Sequence, residues 1–143
     1  MPARPDYLRE TLFRLTALFF IGFMIAVVVI ADRGKGGDWW LFIQHIPLGD
    51  KLGHVGLIGT LGFLCNLAFP NRRPSSLPRF ITRTTLVLLA VVSLEEMAQA
   101  FIPFRSFDPI DWLADLIGLA TGQTLALTIL RTSTKEPLSQ EGK

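Results

Sequence analysis

TTLVLLAVVSLEEMAQAFIPFRSFDPIDWLADLIGLATGQTLALTIL, residues 84–130, holds two apolar runs separated by a polar interruption. Each run suits a membrane-spanning helix, which needs about 17–25 mostly apolar residues. The interruption is unusual. Glu95, Glu96 and Gln99 end the first run, Arg105 and Asp108 follow, and Asp111 and Asp115 open the second. An ionised side chain at the centre of a spanning helix costs about 2.5–3.5 kcal/mol even on the lenient insertion scale, so such groups face a partner or a wet cavity. Function is expected there.

Working outward, two further apolar runs occupy residues 15–31 and 52–69. Half of the 143 residues are hydrophobic and the mean hydropathy is +0.42, with the apolar positions in blocks rather than one-sided stripes. The expected fold is all-α: one domain over residues 1–143, a four-helix transmembrane bundle with spans near 15–31, 52–69, 84–101 and 112–130 and a disordered tail at 132–143. The first run does not read as a cleaved signal peptide, because Asp32-Arg33-Gly34-Lys35 follows it without a small-residue cleavage pattern. Cys65, the single cysteine, excludes an intrachain disulfide or a cysteine zinc cluster and reads as a packing residue.

The arginines set the expected topology. Arg4, Arg9 and Arg14 precede the first span, Arg72, Arg73, Arg79 and Arg83 crowd the loop after the second, and Arg131, Lys135 and Lys143 follow the fourth. By the positive-inside rule both termini and this middle loop, marked by Pro74 and Pro78, are cytoplasmic, and residues 32–51 and 102–111 face outward. The net charge of +2 and the pI near 9.0 then reflect membrane anchors and anionic lipid contact rather than nucleic-acid binding. Trp39-Trp40 and Trp112 fit the aromatic interface belt.

This topology puts the polar residues of spans two to four in one shallow outer layer. Asp50 and His54 are four apart and share a helix face. Glu95, Glu96 and Gln99 cover an arc of about 100°. Asp111, Asp115, Gly118 and Gly122 form a stripe on the fourth helix, and Ala114, Gly118 and Gly122 are spaced as small-xxx-small. The stripe is expected to hold Asp111 and Asp115 against the third helix. Glu96 and Arg105 are expected to form a salt bridge, and His54 to bond between helices. His45 and Lys51 read as interfacial. Asp108-Pro109-Ile110-Asp111 reads as a helix start, with Asp108 as N-cap and Asp111 at the third position.

The segments Asp50-Lys51-Leu-Gly-His54, Glu96-Met-Ala-Gln99 and Arg105-Ser-Phe-Asp108, followed by Asp111, Gly118 and Gly122, resemble the VanZ-like family of small bacterial membrane proteins. Its pattern runs DK..H, then E..Q.....RSFD..D...N..G...G. The resemblance touches spans two to four. One position departs: Asp115 stands where the family usually has Asn, replacing a neutral amide with an ionisable carboxyl. The resemblance implies a multi-pass protein of the bacterial inner membrane, in a family named for low-level teicoplanin tolerance. It identifies no reaction.

The expected site comprises Asp50, Lys51, His54, Glu96, Gln99, Arg105, Asp111 and Asp115. Three function classes fit it. The first binds a membrane lipid, a lipid-linked wall precursor or a glycopeptide antibiotic. The second is an enzyme on an amphiphilic head group, with His54 or Glu96 as acid or base and Arg105 as an anion clamp. The third is an ion or proton path. No cofactor is expected, although surplus carboxylates offer oxygen ligands to a divalent cation. Gly34-Lys35-Gly36-Gly37 lacks the spacing of a phosphate loop, and no HExxH or serine-nucleophile elbow occurs.

Overall fold

Hydrocarbon offers no water to satisfy backbone amides, so apolar runs of this length fold as helices that satisfy themselves. The computed structural model describes residues 5–35, 46–69, 81–103 and 105–133. They form four helices: α1 (Pro5–Asp32), α2 (Gly49–Ala68), α3 (Arg83–Gln99) and α4 (Pro109–Ser133). Pro5 and Pro109 stand at first helical positions, where the missing N–H would have had no partner. Thr82 caps α3, its side chain accepting from the Thr85 amide at 3.1 Å. Trp39-Trp40, His45, Arg4, the loop residues Arg72, Arg73, Pro74, Pro78 and Arg79, and the tail with Lys135 and Lys143 lie outside the described residues.

Three helices, over Tyr7–Asp32, Gly49–Ala68 and Pro109–Thr132, are long and apolar enough to cross a membrane. α3 has 17 residues, about 25 Å at 1.5 Å per residue, against a hydrocarbon core about 30 Å thick. It stops short of the expected boundary at 101 because the amides of Ala100, Phe101 and Ile102 bond carbonyls three residues back, at 3.3, 3.0 and 3.0 Å, tightening the chain into a turn.

Cross-helix contacts place the end of α1, the start of α2, the end of α3 and the start of α4 together, so successive helices alternate in direction. α2 and α4 form the closest pair. A Cβ on Gly118 would lie 2.8 Å from the Val55 carbonyl oxygen and 2.9 Å from the Gly59 nitrogen, and one on Gly122 would collide with the Gly59 carbonyl. Only glycine permits this approach. The core runs between the helices through Ala17, Ile58, Leu61, Cys65, Val92 and Leu119. Phe19, Val87, Leu94 and Ile117 face outward, as lipid-facing side chains do. On α4, Thr121, Thr124 and Thr128 give their hydroxyls to carbonyls four residues back at 2.7–2.8 Å, so these donors are satisfied within the helix.

The glycine stripe of α4 therefore meets α2, correcting the expectation that it faces α3. The reason lies in the opposing surfaces: α2 presents Gly59 and Gly62 to it, whereas the sequence of α3 contains no glycine.

Candidate functional site

The gathered helix ends build a polar cap. Asp50 lies in the first turn of α2 and Asp111 in the first turn of α4, where the partial positive charge of a helix N-terminus favours carboxylates. Between them Lys51 sends its ammonium to Asp111 Oδ1 at 2.5 Å, Asp108 Oδ2 at 2.7 Å and Asp50 Oδ2 at 3.3 Å. Lys51 is thus a cross-link between α2 and α4, not merely an interfacial residue. One turn deeper, His54 Nδ1 lies 2.9 Å from Asp115 Oδ1, and Asp115 is only 2% exposed. Nδ1 is thus the ring nitrogen that faces Asp115.

A second chain of bonds ties α3 to the loop before α4. Glu96, fully buried, accepts from the Asp108 amide at 3.0 Å and from Gln99 Nε2 at 2.9 Å. The same Gln99 nitrogen reaches both Glu95 oxygens, at 3.2 and 3.0 Å. Gln99 Oε1 accepts from Arg105 Nε at 3.1 Å, and Arg105 Nη1 stands 4.0 Å from Asp32 Oδ1. Gln99 therefore stands between Glu96 and Arg105, in place of the direct salt bridge that the sequence suggested. Three planar groups in series satisfy more donors and acceptors than one ion pair would.

Asp108 caps α4 as expected, accepting from the Ile110 amide at 2.9 Å. The reciprocal half of the capping arrangement comes from Glu96 on another helix, while Asp111 turns to Lys51. The Lys51 ammonium, and after it the Ile110 N–H, hold the Asp108 carboxyl below its ordinary range. Trp112 donates to Ser93 Oγ at 3.0 Å, fastening α4 to α3.

The expected site residues all lie in this cap. Asp50, His54 and Asp111 offer ligand atoms within 4.8 Å of one another, the set best placed to hold a cation. Lys51 already lies against two of them. Beneath the cap a cleft of about 510 Å³ opens between α1, α2 and α3. Ile21, Met24, Leu57, Leu61, Leu88 and Val92 supply much of its apolar wall, and Asp50, His54, Glu95, Arg105 and Asp115 form its polar end. A cavity with an apolar body and a few convergent polar groups is the usual form of a ligand site.

Two features escaped the sequence reading. Glu95, named in the polar interruption but left out of the expected site, lines this cleft. At the opposite end, Thr82 donates to Asn66 at 2.6 Å, Asn66 Nδ2 reaches Thr85 at 3.0 Å, and the Thr82 amide donates to Gln123 at 2.9 Å. The signal was available: Asn66 and Gln123 are polar groups inside apolar runs, which demand partners in a membrane. Their mutual bonds make this network a clasp between α2, α3 and α4.

Comparison with curated proteins and with solved structures gave no match. The family model described as VanZ/LLP1 matches residues 13–131, a region that contains the whole cap and cleft. With its apolar helices, the match makes this a multi-pass bacterial membrane protein. The chain belongs to the VanZ/LLP1 family.

Proposed function

We propose that this protein binds an amphiphile of the bacterial envelope, a lipid or lipid-linked precursor, with its hydrocarbon chain in the cleft and its head group against the cap. The observation that carries this reading is the cleft itself: apolar walls from three helices ending at Asp50, His54, Glu95, Arg105 and Asp115. An apolar chain gains about 0.8 kcal/mol per methylene removed from water. A neighbouring polar end then selects what is attached to it. With the arginine-rich termini and middle loop inside and α3 crossing the membrane as the fourth span, the cap faces outward, toward envelope precursors and glycopeptides such as teicoplanin.

A phospholipid with a diazirine midway along one acyl chain tests this in nanodiscs. On irradiation it should label Leu57 and Val92 on the cleft wall in preference to Ile117 and Leu125 on the outer surface. Leu57→Trp, which fills the cleft, should remove that preference. Uniform labelling of cleft and outer surface in the unaltered protein would overturn the reading.

A second reading, chemistry on the bound head group, draws support from the Asp115–His54 pair. Asp115 orients the imidazole and leaves Nε2 as a base at the cleft's polar end. Turnover of a defined lipid precursor, lost in His54→Gln while lipid labelling persists, would establish it.

A further inference from the structure

The charge around the cleft narrows the amphiphile's class. We propose that the cleft accepts an amphiphile with a cationic amine head group and that Glu95 is its counter-charge. This rests on the amphiphile reading above and adds the sign of the head group.

Two permanent cations, Lys51 and Arg105, stand among the acids of the cap. Lys51 is shared among Asp50, Asp108 and Asp111. Arg105 gives its Nε to Gln99 and its Nη1 stands 4.0 Å from Asp32; its other donors remain for a ligand, but in the cleft lining it is one permanent cation beside three carboxyl side chains, Asp50, Glu95 and Asp115. Asp115 has His54. Glu95 and Glu96 remain, and their shared side-chain donor, the Gln99 amide, is neutral. Glu96 is sealed away and also receives the Asp108 amide. Glu95 lines the cleft, and among its described hydrogen bonds both oxygens receive that one amide nitrogen. It stands near the C-terminal end of α3, whose partial negative charge favours an approaching cation. An anionic head group entering the cleft would meet Asp50, Glu95 and Asp115 as well as Arg105 and the paired His54; an ammonium would find unused acceptor capacity on Glu95.

The cleft runs from Asp50 to Leu61 along α2, about 16 Å at 1.5 Å per residue. A single alkyl chain can therefore lie beside α2 with its head group level with Glu95.

The test uses the full chain in phosphatidylcholine nanodiscs, with empty nanodiscs as the baseline for partitioning. Decylammonium, decyl phosphate and decyl maltoside compete against the diazirine phospholipid for the cleft. Decylammonium should suppress labelling at a concentration about tenfold below that of decyl phosphate, as one charge-assisted hydrogen bond implies. Glu95→Gln, which keeps the acceptor for Gln99, should erase most of that difference and leave decyl maltoside unchanged; Glu95→Asp should preserve it. Decyl phosphate competing as well as decylammonium in the unaltered protein would overturn the inference while leaving the amphiphile reading intact. So would competition by decyl phosphate that appears only with magnesium or calcium, since that would mark Asp50, His54 and Asp111 as a divalent-cation site. Failure of all three amphiphiles to compete would instead overturn the amphiphile reading.

Discussion

At the residue scale, Gln99 decides how the cap is wired. Its amide nitrogen serves Glu95 and Glu96, and its oxygen holds Arg105, so one neutral side chain connects an acidic pair to a cation. Gln99→Leu removes all of these bonds while keeping an apolar stem in the same space. Leaving a buried polar group unsatisfied costs about 1–3 kcal/mol, and unfolding in detergent should show a loss of at least that size. Glu96→Gln and Arg105→Gln should be non-additive in the unaltered protein because both act through Gln99. In a Gln99→Leu background they should add to within about 0.5 kcal/mol. Persistent coupling there would mean that Glu96 and Arg105 touch directly.

At the element scale, the interface between α2 and α4 determines where every cap residue stands. Backbone contact at Gly59, Gly118 and Gly122 sets the register that brings Lys51 to Asp111 and His54 to Asp115. Gly122→Ala places a methyl group against the Gly59 carbonyl and the Phe63 amide. Neither is the movable end of a side chain, so the helices must separate; overpacking of this kind typically costs about 1–3 kcal/mol. Gly22→Ala supplies the control. Nothing lies within 4 Å of the added methyl group, and relief of glycine's entropy in a helix should add up to about 1 kcal/mol of stability. Thermal unfolding of both variants in one detergent checks the contrast, and equal effects would show that the glycine contact is not what sets the pairing.

At the scale of the whole molecule, α1 is the least embedded element, with 6% of its apolar window buried against 39% for those of α2 and α4. It closes one wall of the cleft through Ile21, Met24 and Ile25 while turning Leu15, Leu18 and Phe19 outward. Its place beside α2 therefore depends on the surrounding hydrocarbon as well as on packing. Orientation is testable by thiol labelling in a Cys65→Ala background. A cysteine at Gly37, between α1 and α2, should react with an impermeant reagent on intact cells, whereas one at Ser76, between α2 and α3, should not. The opposite pattern would put the cap on the cytoplasmic face and exclude capture of extracellular ligands.

The sequence by itself determined that the chain is helical and belongs in a membrane, because the length and apolar content of each run are local properties set against a fixed hydrocarbon thickness, within which such a run satisfies its backbone as a helix. It also identified the residues of the cap, since ionisable groups inside such runs stand out wherever they pack. Asp108 was legible as a cap because capping is settled within a few residues. Only the tertiary structure decided who meets whom. The α4 stripe chose α2 because glycines on both faces allow backbones to touch, a property of two surfaces rather than one. Gln99 came between Glu96 and Arg105 because the turn at residues 100–103 set their separation. The cleft, and with it the place of Glu95 in its lining, exists only because α1, α2 and α3 leave space between them, and no single helix encodes that space.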